Sequence, residues 1–98
     1  MTDRISCCVP YCRRTAPAHF REWVCAKHWP LVSRQTKAAY RIAKARARRI
    51  LRLKPQYREY WKMPAGSPAR LSAVSMWRRL DQAWANCKRE AIERAVGI

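Results

Sequence analysis

Acidic residues are scarce in this sequence, and none occurs between Trp23 and Arg58. Six Asp and Glu stand against 22 Lys and Arg, a formal charge of +16. Such a balance opposes self-compaction and invites a polyanion as partner. No stretch approaches the ~18 apolar residues of a membrane-spanning helix. Residues 1–12 also lack the continuous apolar segment of a secretory leader. The two absences point to a cytoplasmic, reducing setting, where neighbouring cysteines bind metal or remain thiols. Five cysteines are an odd number, so full disulfide pairing would leave one over.

Against those absences, hydrophobic residues make up 49% of the chain, which excludes a simple disordered basic tail. At 98 residues the chain is long enough for one compact domain, burying roughly 60–65% of its unfolded surface. The first 30 residues could not build a core alone, and a metal staple would make up the deficit. We therefore expect a zinc finger over residues 1–30 and a helical hairpin over 31–98, together one compact domain.

The stretch from Cys7 to His28 reads CCVPYCRRTAPAHFREWVCAKH. It holds two close pairs, Cys7-x4-Cys12 and Cys25-x2-His28, twelve residues apart. Two short chelating loops brought together are the usual way a small chain supplies four sulfur or nitrogen ligands to a tetrahedral cation such as Zn2+. Pro10 suits a tight turn in the first loop. Thr15 to Val24 suits a short two-strand hairpin carrying Phe20, Trp23 and Val24. Cys25 and His28, three apart, would share one face of a first helical turn. A Cys8-x3-Cys12 pairing is the alternative to Cys7. Met1 to Ser6 reads as a frayed polar lead.

These residues resemble the treble-clef zinc finger of small phage and bacterial proteins, some of them relatives of HNH nucleases. CCVPYC stands where that family has a C-S-x-x-G-C knuckle, and CAKHW matches its C-x-x-H-aromatic half. The resemblance covers residues 7–30. It implies one structural zinc on Cys7, Cys12, Cys25 and His28, with Cys8 at a serine position and Tyr11 at a glycine position. In the nuclease relatives a hairpin histidine acts as general base, and His19 falls there. Catalysis also needs a second histidine or an asparagine to hold its own metal. His28 is already used and Asn86 is the single asparagine, so an enzyme is not expected.

Glycine and proline are missing from Leu31 to Lys54, a segment dense in Ala, Arg, Lys and Leu, which predicts a long helix. Helical periodicity puts Val32, Ala39, Ala43, Ile50 and Leu53 on one face. Arg34, Lys37, Arg41, Lys44, Arg48 and Arg52 fall opposite. An ordinary solvated face would interleave Glu with Lys. This one accumulates charge of one sign, as a nucleic-acid contact would. Pro55 to Ser67 reads as a structured connector whose Tyr57, Tyr60 and Trp61 plug the space between two helices. Ser67-Pro68 then opens a second helix that ends before Gly97. Its apolar face comprises Val74, Trp77, Leu80, Trp84, Ala91 and Ala95, with Leu71 and Ile92 at the margins. Cys87 reads as a buried free thiol.

The expected fold class is α+β, mostly α: a metal finger leading into a basic helix, then an amphipathic helix packed back as an αα-hairpin. The expected function is a small zinc-stabilised DNA-binding protein, a phage or bacterial regulator. Two alternatives stand beside it. One is an RNA-binding, ribosome-associated protein. The other is a protein that inhibits or recruits a host enzyme, or forms a homodimer, through the helix bearing Trp77 and Trp84.

Overall fold

A computed structural model describes residues 4–17 and 21–97. It is mostly helical, with one small antiparallel sheet. Strand β1 (Arg4–Ser6) pairs with β2 (Thr15–Pro17), Ile5 lying opposite Ala16. The Cys7 amide extends the ladder to the Arg14 carbonyl at 3.0 Å. The Arg4 guanidinium clamps the edge, donating to the Thr15 hydroxyl at 2.7 Å and the Thr15 carbonyl at 2.9 Å. So Arg4–Ser6 is a strand and not a frayed lead. The pairing also brackets the Cys7–Cys12 loop, where a hairpin within Thr15–Val24 was expected. The reason is geometric: the turn at residues 9–12 reverses the chain, making Arg4–Ser6 the nearest partner for Thr15. His19 and Phe20 lie outside the described residues.

Cys25 to His28 forms a turn and not the start of an α-helix. The amides of His28 and Trp29 both donate to the Cys25 carbonyl, at 3.1 and 2.9 Å. A 3-10 turn follows at Trp29–Leu31, where Pro30 is tolerated because the first turn needs no donor from it. Val32 is extended (φ −73°, ψ 133°), which breaks the helix. Helix α1 is therefore Arg34–Leu53, three residues shorter at its start than Leu31–Lys54 suggested. Ser33 is its N-cap: the hydroxyl accepts from the Thr36 amide at 3.2 Å, and the carbonyl accepts from Lys37 at 3.0 Å.

The connector Pro55–Lys62 coils as 3-10 turns with a break at Glu59. Helix α2 runs Pro68–Ala95, with the Ser67 hydroxyl accepting from the Arg70 amide at 3.3 Å. Past its end Gly97 takes φ +78°, the left-handed geometry of a helix stop.

The chain forms two compact units, Ala38–Trp84 and the remainder, Met1–Lys37 with Ala85–Ile98. In the unit formed by Met1–Lys37 and Ala85–Ile98, the end of α2 packs with the finger segment. Lys88 pairs with Glu22 at 2.7 Å, Arg94 donates to the Leu31 carbonyl at 2.6 Å, and Glu90 accepts from the Ser33 amide at 2.9 Å.

Within the Ala38–Trp84 unit the core comprises Ala47, Leu51, Tyr57, Ala73 and Met76, with Ile50, Tyr60, Met63, Trp77 and Leu80 packed against it. Tyr57 is the plug, buried to 3% exposure, and its carbonyl accepts from the Trp77 indole at 2.9 Å. The inward faces differ from those expected. Ala39 and Leu53 on α1 are exposed, as is Ala95 on α2, while Ala47, Ala73 and Met76 are buried. A wheel drawn for one helix weighs side chains without their neighbours. Tyr57 sits in one core with Ala47 and Ala73, and Leu51 and Met76 complete it.

Candidate metal centre

The metal-ligand candidates are assembled by two local devices. In the first, the Cys12 amide donates to the Val9 carbonyl at 3.2 Å, closing a turn over Pro10 and Tyr11. Proline at the second position and a left-handed residue at the third fit the type II pattern. Tyr11 supplies that residue at φ 67°, so it adopts the conformation in which glycine would be unstrained. The turn folds Cys12 back toward Cys7. In the second device, the Cys25–His28 turn puts the Cys25 sulfur 3.2 Å from His28 Nδ1.

One donor atom from each of Cys7, Cys12, Cys25 and His28 lies within 4.8 Å of every other. A tetrahedral ion with metal–sulfur bonds of about 2.3 Å has sulfur–sulfur edges of about 3.8 Å. Cys12 and Cys25 sulfurs are 3.8 Å apart, and Cys7 sulfur is 3.7 Å from His28 Nδ1. Three sulfurs and an imidazole nitrogen at these separations could hold a metal ion, and as a soft donor set they suit zinc. Four protein ligands would leave no open position for a substrate.

The surroundings act differently on the two buried cysteines of the group. Cys7 and Cys25 are buried, and the Cys25 amide donates to Cys7 sulfur at 3.4 Å. Burial pushes the Cys25 thiol up, but the backbone N–H groups of His28 and Lys27, together with the Cys7 and His28 side chains, outweigh it and bring it down to about 6. For Cys7 burial wins over the Cys25 amide and holds the thiol above its ordinary value. A bound cation would reverse that, because it neutralises the charge that burial penalises.

Cys8 points elsewhere. Its sulfur lies 3.9 Å from the Glu22 carboxylate, and its amide donates to the Trp23 carbonyl at 2.8 Å. Burial first, and then the Glu22 charge, raise its thiol above the usual range. Cys87 is fully buried on α2, its sulfur 3.7 Å from the Thr36 carbonyl and outside the metal-ligand group.

The six basic residues singled out on α1 divide by environment. Arg34, Arg41, Arg48 and Arg52 are exposed. Lys37 and Lys44 are half-buried, with their ammonium groups 5.4 Å from the Trp29 ring centre and 4.5 Å from that of Tyr40. Sequence reasoning passed over three further arginines, Arg46, Arg49 and Arg79, which line an apolar groove in the Ala38–Trp84 unit. Their signal was legible only in part: Arg46 and Arg49 are three apart on a helix, but nothing local joins them to Arg79. It also passed over Glu90, whose role depends on residues more than fifty positions away.

Compared with family models, curated proteins and solved structures, the chain gives no match.

Proposed function

We propose that this chain is a small zinc-stabilised protein that binds DNA without catalysing a reaction. The observation that carries the reading is α1: a helix of 20 residues with eight Arg or Lys and no carboxylate. Its 1.5 Å rise per residue makes it about 30 Å long, close to one turn of duplex DNA. Arg34, Arg41, Arg48 and Arg52 are exposed and available to phosphates or guanine edges. The zinc, held by Cys7, Cys12, Cys25 and His28, folds the segment that leads into this helix. Its role as a phage or bacterial regulator rests on the resemblance of residues 7–30.

The test is a titration of the zinc-loaded chain with duplex DNA and with structured RNA over a range of salt. Phosphate contacts from these four arginines would give a log–log slope of about −3.5 on duplex DNA, and Arg41→Ala or Arg48→Ala should each reduce it by about 1. Tighter binding to RNA at matched salt would transfer the reading to an RNA-associated protein. A slope near zero would end both.

A further inference from the structure

A second surface lies wholly within the Ala38–Trp84 unit, where α1 and α2 leave an open groove between them. Ile42, Leu53 and Leu71 line it and stand 68%, 75% and 60% exposed, with Ile50 and Met76 deeper. Arg46 and Arg49 on α1 and Arg79 on α2 bring positive charge to it, and no carboxylate is among its lining residues. None of Arg34, Lys37, Arg41, Lys44, Arg48 and Arg52 is among its lining residues. By helical periodicity Arg46 lies across α1 from Arg41, Lys44 and Arg48, while Arg49 stands between Arg46 and Arg52.

We propose that this groove docks an acidic amphipathic helix of a partner protein. Its volume of about 1350 Å³ exceeds the ~300–1,000 Å³ of an ordinary small-molecule site. A trough of aliphatic side chains between two helices takes apolar anchors spaced i, i+3 or i+4, and i+7. The arginines select carboxylates flanking those anchors. A nucleic acid matches it poorly, since the exposed apolar side chains are aliphatic and bases stack on aromatic rings. A second copy of this chain matches it no better. Each copy carries +16, and three of its six acids, Glu22, Glu59 and Glu90, are already in ion pairs.

The experiment uses the zinc-loaded full chain and a synthetic helix-forming peptide of about 16 residues, long enough to form a helix. It bears Leu at i, i+3 and i+7 with Glu on the other faces. Controls are the same composition in scrambled order and vesicles of anionic phospholipid. The expected result is saturable binding that shifts the Ile42 and Leu71 methyl resonances and is at least tenfold weaker for the scrambled peptide. The doubly substituted Ile42→Ser, Leu71→Ser chain should lose at least tenfold in peptide affinity and keep its duplex-DNA affinity. Arg46→Glu with Arg79→Glu should lose peptide binding without touching the apolar floor. Equal binding of the scrambled peptide would overturn the proposal, since charge alone would then explain the affinity. So would unchanged peptide affinity in either double variant, or methyl shifts produced by vesicles and not by peptide. Failure of DNA binding in the parent chain would leave the peptide result standing, so the two readings fail separately.

Discussion

Tyr11 holds a left-handed backbone at φ 67° with its side chain fully exposed. For a residue bearing a Cβ that conformation costs roughly 1–2 kcal/mol, and no burial of the ring offsets it. Tyr11→Gly should therefore stabilise the zinc-loaded chain by about 0.5–1 kcal/mol, after allowing for the extra freedom of glycine when unfolded. A urea titration reads this directly. Tyr11→Ala, which keeps the strain, should stay within about 0.5 kcal/mol of the parent. The neighbouring cysteines separate just as cleanly. Cys8→Ser should retain one zinc per chain, because that sulfur faces Glu22 and not the other ligands. Cys7→Ser should lose zinc, as measured by metal analysis of freshly purified protein. The opposite pattern would mean that Cys8 is the ligand.

Among the elements, α1 has an unusual start. A helix N-terminus favours negative charge, yet the first turn of α1 contains no acidic residue. Glu90 of α2 supplies the charge from outside, accepting from the Ser33 amide at 2.9 Å and from the Thr36 hydroxyl. Those donors, the Thr36 hydroxyl foremost, hold the Glu90 carboxyl below its ordinary value of 4.5. The folded state thus binds this proton less tightly than the unfolded state. The stabilisation is fully present above the unfolded value and is lost as pH falls through the lower folded one. Glu90→Gln should cost about 1.5–3 kcal/mol at neutral pH, the worth of a hydrogen bond to a charged group. The gap between parent and variant should narrow in denaturation curves taken below pH 4.5. A constant gap across that range would show that packing, and not charge, was lost.

For the whole molecule, the two compact units should respond differently to loss of metal. The Ala38–Trp84 unit has its own core around Tyr57 and contains none of the metal-ligand candidates. Among the described residues the other unit buries only small side chains, Val9, Val24, Val32, Cys87 and Ala91 among them, and its ion pairs and capping bonds to the end of α2 add little to that. Chelation should strip amide-exchange protection from residues 4–37 and from 85–97 while leaving 38–84 protected. Far-UV helical signal should fall only in part. Equal loss of protection throughout would mean that the units unfold as one, with the metal supporting both.

The grouping of Cys7, Cys12, Cys25 and His28 was legible in the sequence because each half is a local pair: four residues between Cys7 and Cys12, two between Cys25 and His28. The helices were legible because Gly and Pro are absent where they run and present where they stop. The chain's charge follows from composition alone. Tertiary structure decided the rest. Whether Cys7 or Cys8 joins the group depends on which of the two faces Cys25: Cys7 does, and Cys8 faces Glu22. β1 exists because a turn downstream brings Thr15 back to it. The buried faces of α1 and α2 share one core with Tyr57, a connector residue that no wheel for either helix includes. Glu90 caps a helix it does not belong to, and Arg79 joins Arg46 and Arg49 only when α2 returns beside α1. Local chemistry depends on near neighbours along the chain. Packing, capping between helices and grooves depend on residues that only folding makes neighbours.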